Sequence, residues 1–275
     1  MEKFLRPSRA QLKLWGKLDS PKARREAGLF IAEGFKVTEE ILKSSWKTLA
    51  VLLMEEKMDR WRRFLESLPE RLAVYVLTGK EWSKLSQDKE PEGIMALAAM
   101  PGRLDNLVDT AAINRASARD EHLLLIYEIA NPGNLGAVLR TAHWFGIRTV
   151  ILSSGSVDFV NPKVVRSSMG SLFHLSLVSD VDFDLVLPAV KARHVVVAGD
   201  VRGGVAPHPC RRGTAMLLGS ESHGLPSRLL EMADERWRIG GFGGADSLSL
   251  PQAAAIMMYE CTRKAAMHGN NGRQT

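Results

Sequence analysis

Apolar and polar positions follow two different periods along this chain, and the switches between them predict its elements. Short apolar runs at Phe30–Ala32, Leu49–Met54, Leu72–Leu77 and Ile94–Ala99 read as strands. Between them, Val37, Ile41 and Leu42 recur at helical spacing after Glu33-Gly34. Met58–Leu68 reads as a charged helix carrying Trp61, Phe64 and Leu65, and Lys80–Leu85 as a short one. This alternation over the first hundred residues predicts a small α/β domain. Pro101-Gly102 then opens a polar stretch to about Glu121, read as a linker with one helical piece at Leu107–Ile113.

Beyond the linker the alternation strengthens. Strands are predicted at Leu123–Ala130, Thr149–Leu152, Ser171–Val178, His194–Ala198, Ala215–Leu218 and Arg236–Ile239. Helices are predicted to begin near Leu135, Pro162, Phe183, Pro226 and Leu250. Successive strand–helix units imply a mostly parallel sheet with helices on both faces, and ligands bind such sheets beyond the strand C-termini. The tail from His268 is polar and Gly-rich, and is expected to be disordered.

Three turns at predicted strand ends stand out. In the first, Asn131-Pro132-Gly133 leads into a helix whose apolar stripe is Leu135, Val138, Leu139, Ala142 and Gly146. Asn134 sits where an N-cap belongs. Arg140 falls on the side away from the stripe. A strand, a Gly-containing turn and a helix offering a cation can handle an anion; the same residues also read as an ordinary turn with one solvated Arg. The second turn is Gly219-Ser220-Glu221-Ser222-His223-Gly224, which lacks the Gly-Lys-Ser/Thr of a P-loop. The third is Gly240-Gly241-Phe242-Gly243-Gly244-Ala245-Asp246-Ser247-Leu248-Ser249. Its glycines permit close backbone approach, and Ser249 and Pro251 suit the start of the helix that follows. No Gly-x-Gly-x-x-Gly follows a strand, which argues against a nicotinamide cofactor.

Composition narrows the class. A chain of 275 residues allows one large or two ordinary domains. No run approaches the roughly 18 apolar residues of a membrane span, and the N-terminus lacks a secretory segment. Cys210 and Cys261 are the only cysteines. They are too few for a disulfide framework and lack zinc-ligand spacing, so neither they nor His208 predict a metal site. A cytoplasmic protein is expected. Residues 1–25 carry eight Lys and Arg against Glu2 and Asp19, which matches the whole excess of +6. This basic arm is the footprint of a polyanion partner, with Lys13, Lys17, Arg24 and Arg25 as RNA contacts, or else a solvated helical face. Trp15 and Phe4 could stack on bases or simply pack.

Together, Asn131–Ala142 (Asn-Pro-Gly-Asn-Leu-Gly-Ala-Val-Leu-Arg-Thr-Ala), Leu218–Leu225 (Leu-Gly-Ser-Glu-Ser-His-Gly-Leu) and Ser247–Ile256 (Ser-Leu-Ser-Leu-Pro-Gln-Ala-Ala-Ala-Ile) resemble the three ordered motifs of the SpoU/TrmH family of RNA ribose 2′-O-methyltransferases, within the SPOUT superfamily. Asn161–Gly170 resembles the family's Pro-Lys-Val-Val-Arg segment. Phe30–Gly34 and Pro91–Met95 resemble its N-terminal substrate-binding domain. The resemblance implies a ribosomal-protein-like α/β domain at 1–100 and a linker at 101–121. It implies a parallel-sheet methyltransferase domain with a trefoil knot at 122–268, and a tail at 269–275. It further implies S-adenosylmethionine as methyl donor, ribosomal or transfer RNA as substrate, and a homodimer formed through the knotted domain.

By the same match, Arg140, Asn134, Glu221 and Ser247 are the expected catalytic group. Gly219, Ile239 and Leu248, with Ser220, Gly224 and Ser249, are expected to hold the donor. Glu221 could orient Arg140 or satisfy loop amides. Arg166 is either an RNA contact from a partner subunit or a structural ion pair. Two positions depart from the family pattern: Ser249 replaces the usual Asn, and Gly240-Gly241 replace Pro-Met. Ser cannot reproduce an amide's paired donor and acceptor, so these departures bear on catalysis rather than fold. A non-catalytic RNA-binding or ribosome-assembly factor on the same fold is the alternative.

Overall fold

The computed structural model describes residues 4–101, 121–210 and 213–269, with side chains to 263. The predicted linker helix therefore lies outside the described residues, as does most of the tail. The chain forms two compact units: residues 1–102 with 158–173, and residues 103–157 with 174–275. The stretch 158–173, expected inside a continuous 122–268 domain, thus clusters with the N-terminal unit.

In the first unit, strands β1 (Leu29–Glu33), β2 (Thr48–Met54), β3 (Ala73–Leu77) and β4 (Ile94–Ala99) form a sheet of order β1-β4-β2-β3. β2 pairs β3 in parallel, and β4 runs antiparallel to both β1 and β2. One apolar cluster gathers Leu52, Leu77, Trp82 and Met95 with Trp15 and Leu18. The other gathers Val51, Leu53, Trp61, Leu65 and Ile94. The predicted Met58–Leu68 helix is instead a 3₁₀ turn, Glu55–Trp61, followed by a short α-helix, Arg62–Glu66. Packing decides this winding: Trp61 stacks on Phe35 at 4.6 Å and donates its indole N–H to the Glu92 carbonyl at 3.1 Å.

The basic arm is folded. Helices Arg9–Trp15 and Pro21–Ala27 occupy it, the first closed by a Ser8–Gln11 capping box. Trp15 is buried and meets the Tyr75 ring edge-on at 5.2 Å, so it packs; Phe4 is exposed.

In the second unit, strands β5 (Leu123–Ile126), β6 (Thr149–Ser153), β7 (Ser176–Val181), β8 (Val195–Gly199), β9 (Thr214–Leu218) and β10 (Glu235–Trp237) form one sheet of order β10-β8-β9-β5-β6-β7. Every neighbouring pair is parallel, so all C-terminal ends lie along one edge. Alternate residues serve opposite faces. Leu123, Leu125, Val196, Ala198, Ala215 and Leu217 pack with Val186, Val190 and Leu229 of helices Phe183–Lys191 and Ser227–Met232. Leu124, Ile126, Val197, Met216 and Leu218, on the other face, are also buried. This double burial is why the strands read as unbroken apolar runs.

Three strands of this sheet differ from the hydrophobic pattern by more than one residue. β5 stops at Ile126 rather than Ala130 because Glu128 takes a left-handed φ of 47° and gives its amide to Ser153 Oγ at 2.7 Å. Ile129 is buried without being in a strand, so burial extends the apolar run past the turn. Ser171–His174 is a 3₁₀ turn and β7 begins only at Ser176. The turn is set at Gly170, where φ is +85° and a Cβ would lie 2.4 Å from Glu40. β10 ends at Trp237, leaving Ile239 in the following loop. Among the described residues no helix is long and apolar enough to cross a membrane.

Candidate active site

The three sequence turns meet the same edge of the second unit's sheet, because each follows the C-terminal end of a parallel strand. The helix Pro132–Trp144 starts three residues before the expected place. Asn131, not Asn134, is its N-cap: Asn131 Oδ1 accepts from the amides of Gly133 at 2.8 Å and Asn134 at 3.3 Å, and Pro132 occupies the first turn. The Asn-Pro pair carries that signal. Ser153, whose hydroxyl fixes the turn at Glu128, carried none, being a serine that closes an apolar strand.

Relieved of capping, the Asn134 side chain faces Glu221. Its Nδ2 donates to Glu221 Oε1 at 3.0 Å. The same carboxylate accepts from the Ala130 amide at 3.3 Å and the Asn131 amide at 3.4 Å. Glu221 thus stitches the turn after β9 to the turn after β5, and of its two expected roles the loop-amide one is realised. Arg140 is exposed, while Leu135, Val138, Leu139 and Ala142 on its helix are fully buried. It sits six positions from Asn134, ~120° around the helix. Among the described residues no hydrogen bond or ion pair engages its guanidinium.

The 219–224 turn closes on itself. Ser220 and Gly224 exchange backbone hydrogen bonds at 3.2 and 3.0 Å, and Gly224 has a φ of +66°. Gly219 runs so close beneath that a Cβ there would lie 2.2 Å from the Gly224 carbonyl carbon. Across the same edge, Gly240–Ser249 is an exposed loop, with Leu248 48% accessible and Ile239 half-buried at its entrance. Ser249 accepts the Ala253 amide at 3.0 Å and opens the helix Leu250–Gly269. Ser247 and Leu248 lie on this loop, and among the described residues neither has a hydrogen bond to Asn134, Arg140 or Glu221. The residues expected to hold the donor thus offer backbone groups, small hydroxyls and two aliphatic side chains, with Glu221 and Asp246 as the carboxylates on these turns. Such a set suits a nucleoside bearing an amino acid, while the missing side chain at Gly219 makes room for the Gly224–Leu225 backbone that closes the turn. Among the described residues no cluster of three or more His, Cys, Asp or Glu could hold a metal ion.

In the first unit, Lys13, Lys17 and Arg25 are exposed. Arg24 is not, and this corrects its expected role as an RNA contact. It is fully buried; Nε and Nη2 reach Asp158 Oδ2 at 3.1 and 2.6 Å, and Nη1 reaches the carbonyls of Leu18 and Asp19 at 3.0 and 2.7 Å. Its charge is matched and it is fully buried, so a phosphate has no access to it. Arg166 takes the structural alternative: it pairs with Glu33 at 2.9 Å and Asp88 at 3.3 Å. Burial pushes the Glu33 carboxyl above its ordinary range, more than the Ser86 hydroxyl and Arg166 pull it back.

The sequence model of the SpoU rRNA Methylase family matches residues 121–259, and that of the MRM3-like substrate binding domain matches residues 9–96. The chain belongs to the SpoU rRNA methylase family. It is 31% identical over 252 residues to the Bacillus subtilis 23S rRNA (guanosine(2553)-2′-O)-methyltransferase RlmP, spanning 90% of this chain and 94% of that one. It is 26% identical to the 23S rRNA (uridine(2479)-2′-O)-methyltransferase of Streptomyces viridochromogenes over 88% of this chain and 85% of that one. The crystal structure of the SpoU methyltransferase AviRb from Streptomyces viridochromogenes in complex with AdoMet superposes with a TM-score of 0.81 at 26% identity, covering 97% of this chain and all of the other.

Proposed function

We propose that this protein transfers a methyl group from S-adenosylmethionine to a ribose 2′-hydroxyl of ribosomal RNA in the large subunit. The observation that carries this reading is the Glu221 bridge, which fixes the two turns flanking an exposed, unengaged Arg140. S-adenosylmethionine supplies a methyl group on a sulfonium, ready for in-line displacement. The backbone of Gly219, Ser220 and Gly224, with Ile239 and Leu248 as flanking apolar groups, holds the donor, and Ser247 and Ser249 line its loop. Holding donor and hydroxyl in line supplies several kcal/mol of the barrier. Arg140 stabilises the developing alkoxide and an adjacent phosphate, while water or phosphate takes the proton. A guanidinium does not lose its own proton in proteins, so Arg140 is not a general base.

Residues 1–100 are the RNA-binding domain in this reading, joined by 101–121 to the methyltransferase domain at 122–268, and the protein works in the cytoplasm. Homodimerisation is supported by a face of two packed helices, where Trp144 is 84% and Tyr259 53% exposed, and the Phe145 and Tyr259 rings lie 6.2 Å apart. Sedimentation should return twice the chain mass of 30.4 kDa; a fully active monomer would remove the dimer.

Donor binding is the first test. S-adenosylmethionine or its demethylated product at 100 times its Kd should stabilise the fold by about 2.7 kcal/mol if it binds only the native state. Calorimetry that detects neither molecule would favour the non-catalytic factor, a reading that the Ser249 and Gly240-Gly241 departures allow. Mapping 2′-O-methyl positions in ribosomal RNA with and without the gene identifies the nucleotide.

Lys13, Lys17 and Arg25 are proposed to grip RNA phosphates. Replacing all three by Gln should weaken RNA binding and flatten its salt dependence, the slope falling by about 0.7–0.9 for each phosphate no longer neutralised. An unchanged slope in filter binding across a salt series would make this surface a solvated face.

A further inference from the structure

The two cysteines are far apart in sequence yet adjacent in the fold. Cys210 lies on the β8–β9 connection, and Cys261 lies on the helix Leu250–Gly269. The Cys210 amide donates to the Cys261 carbonyl at 3.1 Å. A direct backbone hydrogen bond is compatible with the Cα separation of ~4.4–6.8 Å that a disulfide spans.

The pair stands at the start of β9, beside Thr214, and next to His122, which precedes β5. That is the edge of the sheet opposite the Gly219 and Gly240–Ser249 turns, so the candidate active site makes no use of it.

The surroundings of the two sulfurs differ. Cys210 is partly accessible; its S–H donates to the His208 carbonyl oxygen at 3.6 Å, and the neighbouring Cys261 thiol draws it below the ordinary cysteine range. His208 sits against Glu235, with Nε2 and Oε2 2.9 Å apart, and the Pro209 carbonyl followed by Glu235 favours its protonated form. A nearby imidazolium lowers the cost of a thiolate. Cys261 is 2% exposed; the neighbouring Cys210 and burial push its thiol above the ordinary cysteine range, and its sulfur lies 3.8 Å from His122 Nδ1. A partly accessible, more acidic thiol beside a buried one is the arrangement of an attacking and a resolving cysteine.

We propose that Cys210 and Cys261 form a peroxide-responsive dithiol that closes reversibly to a disulfide, with Cys210 attacking and Cys261 resolving. The Cys210 thiolate attacks one oxygen of hydrogen peroxide; the S–O bond forms, the O–O bond breaks, and hydroxide leaves as water with the proton given up by Cys210. The Cys261 sulfur then attacks the sulfenic sulfur. The S–S bond forms, the S–O bond breaks, and the departing hydroxide leaves as water with the Cys261 proton, for which His122 is the nearby acceptor. Two thiols are oxidised by two electrons, one peroxide is reduced, and two waters result. The bond pins the middle of the helix Leu250–Gly269 to the β8–β9 connection.

The test is exposure of the native full-length protein to hydrogen peroxide, followed by intact mass measurement and a non-reducing peptide map. The expected product is two hydrogens lighter, contains a Cys210–Cys261 linked peptide, melts several degrees higher, and returns to the starting mass with dithiothreitol. Cys261→Ser should stop at a sulfenic acid on Cys210 that dimedone traps. Cys210→Ser should leave Cys261 unmodified. Independent oxygen addition at the two sulfurs of the wild-type protein, a disulfide between chains, or no reaction would overturn the pairing. A Cys210→Ser protein oxidised as fast as the wild type would overturn the assignment of the attacking sulfur.

Discussion

Arg140→Ala should slow methyl transfer by roughly 10²–10³ while leaving the fold and donor affinity nearly intact. The side chain projects from the Pro132–Trp144 helix away from its buried stripe, so truncation opens no core cavity. Among the described residues it has no partner whose loss would leave a buried charge. What is lost is a cation aimed at charge that develops only in the transition state, and removing a preorganised donor of that kind costs roughly 10²–10³ in rate. Arg140→Lys separates two versions of the role. Lysine keeps the charge but loses the planar fork, so it rescues little if one side chain must bridge alkoxide and phosphate together. Single-turnover transfer to RNA at several pH values is the measurement. A pH-dependent defect that high pH repairs in Arg140→Lys would point back to a base, and wild-type rates in Arg140→Ala would displace the active site from this helix.

The largest stability effect should come from the other unit, at Arg24 and Asp158. Asp158→Ala strands a fully buried guanidinium without its carboxylate and removes the acceptor of the Val160 amide at 3.0 Å. Breaking one side of a buried pair costs about 3–5 kcal/mol. Arg24→Leu should cost a comparable amount, because the Leu18 and Asp19 carbonyls lose their donors together with Asp158. The double variant Arg24→Leu/Asp158→Leu should recover part of the loss, since neither charge is then left unpaired. Urea unfolding of the three proteins, read from midpoints at constant slope, measures the coupling. Strictly additive losses would mean that the pair acts through packing alone. The pair also fixes the start of the 158–173 segment within the first unit, so RNA binding should weaken in the single variants while donor affinity holds.

The hydrophobic pattern determined most of the architecture. Strands buried on both faces read as uninterrupted apolar runs, and amphipathic helices between them read at their own period, so the alternation of β6, β8 and β9 with helices was legible from residue types alone. The three turns of the candidate site were legible as well, because a turn at a strand end needs Gly, Pro, Asn or Ser for conformational reasons that composition displays. Individual side-chain partners were not. Whether Asn131 or Asn134 caps the helix depends on which one can turn its oxygen onto two amides once Pro132 is in the first turn, and the other is then available to Glu221. The eight basic residues of the first 25 look alike as a sequence. Only the tertiary structure separates Arg24, buried by an aspartate more than a hundred positions away, from Lys13, Lys17 and Arg25, which face water. Arg166 and the two cysteines follow the same rule. Local periodicity reports which face of an element is buried; it carries nothing about which distant residue shares that burial, and charge pairing and thiol pairing are decided there.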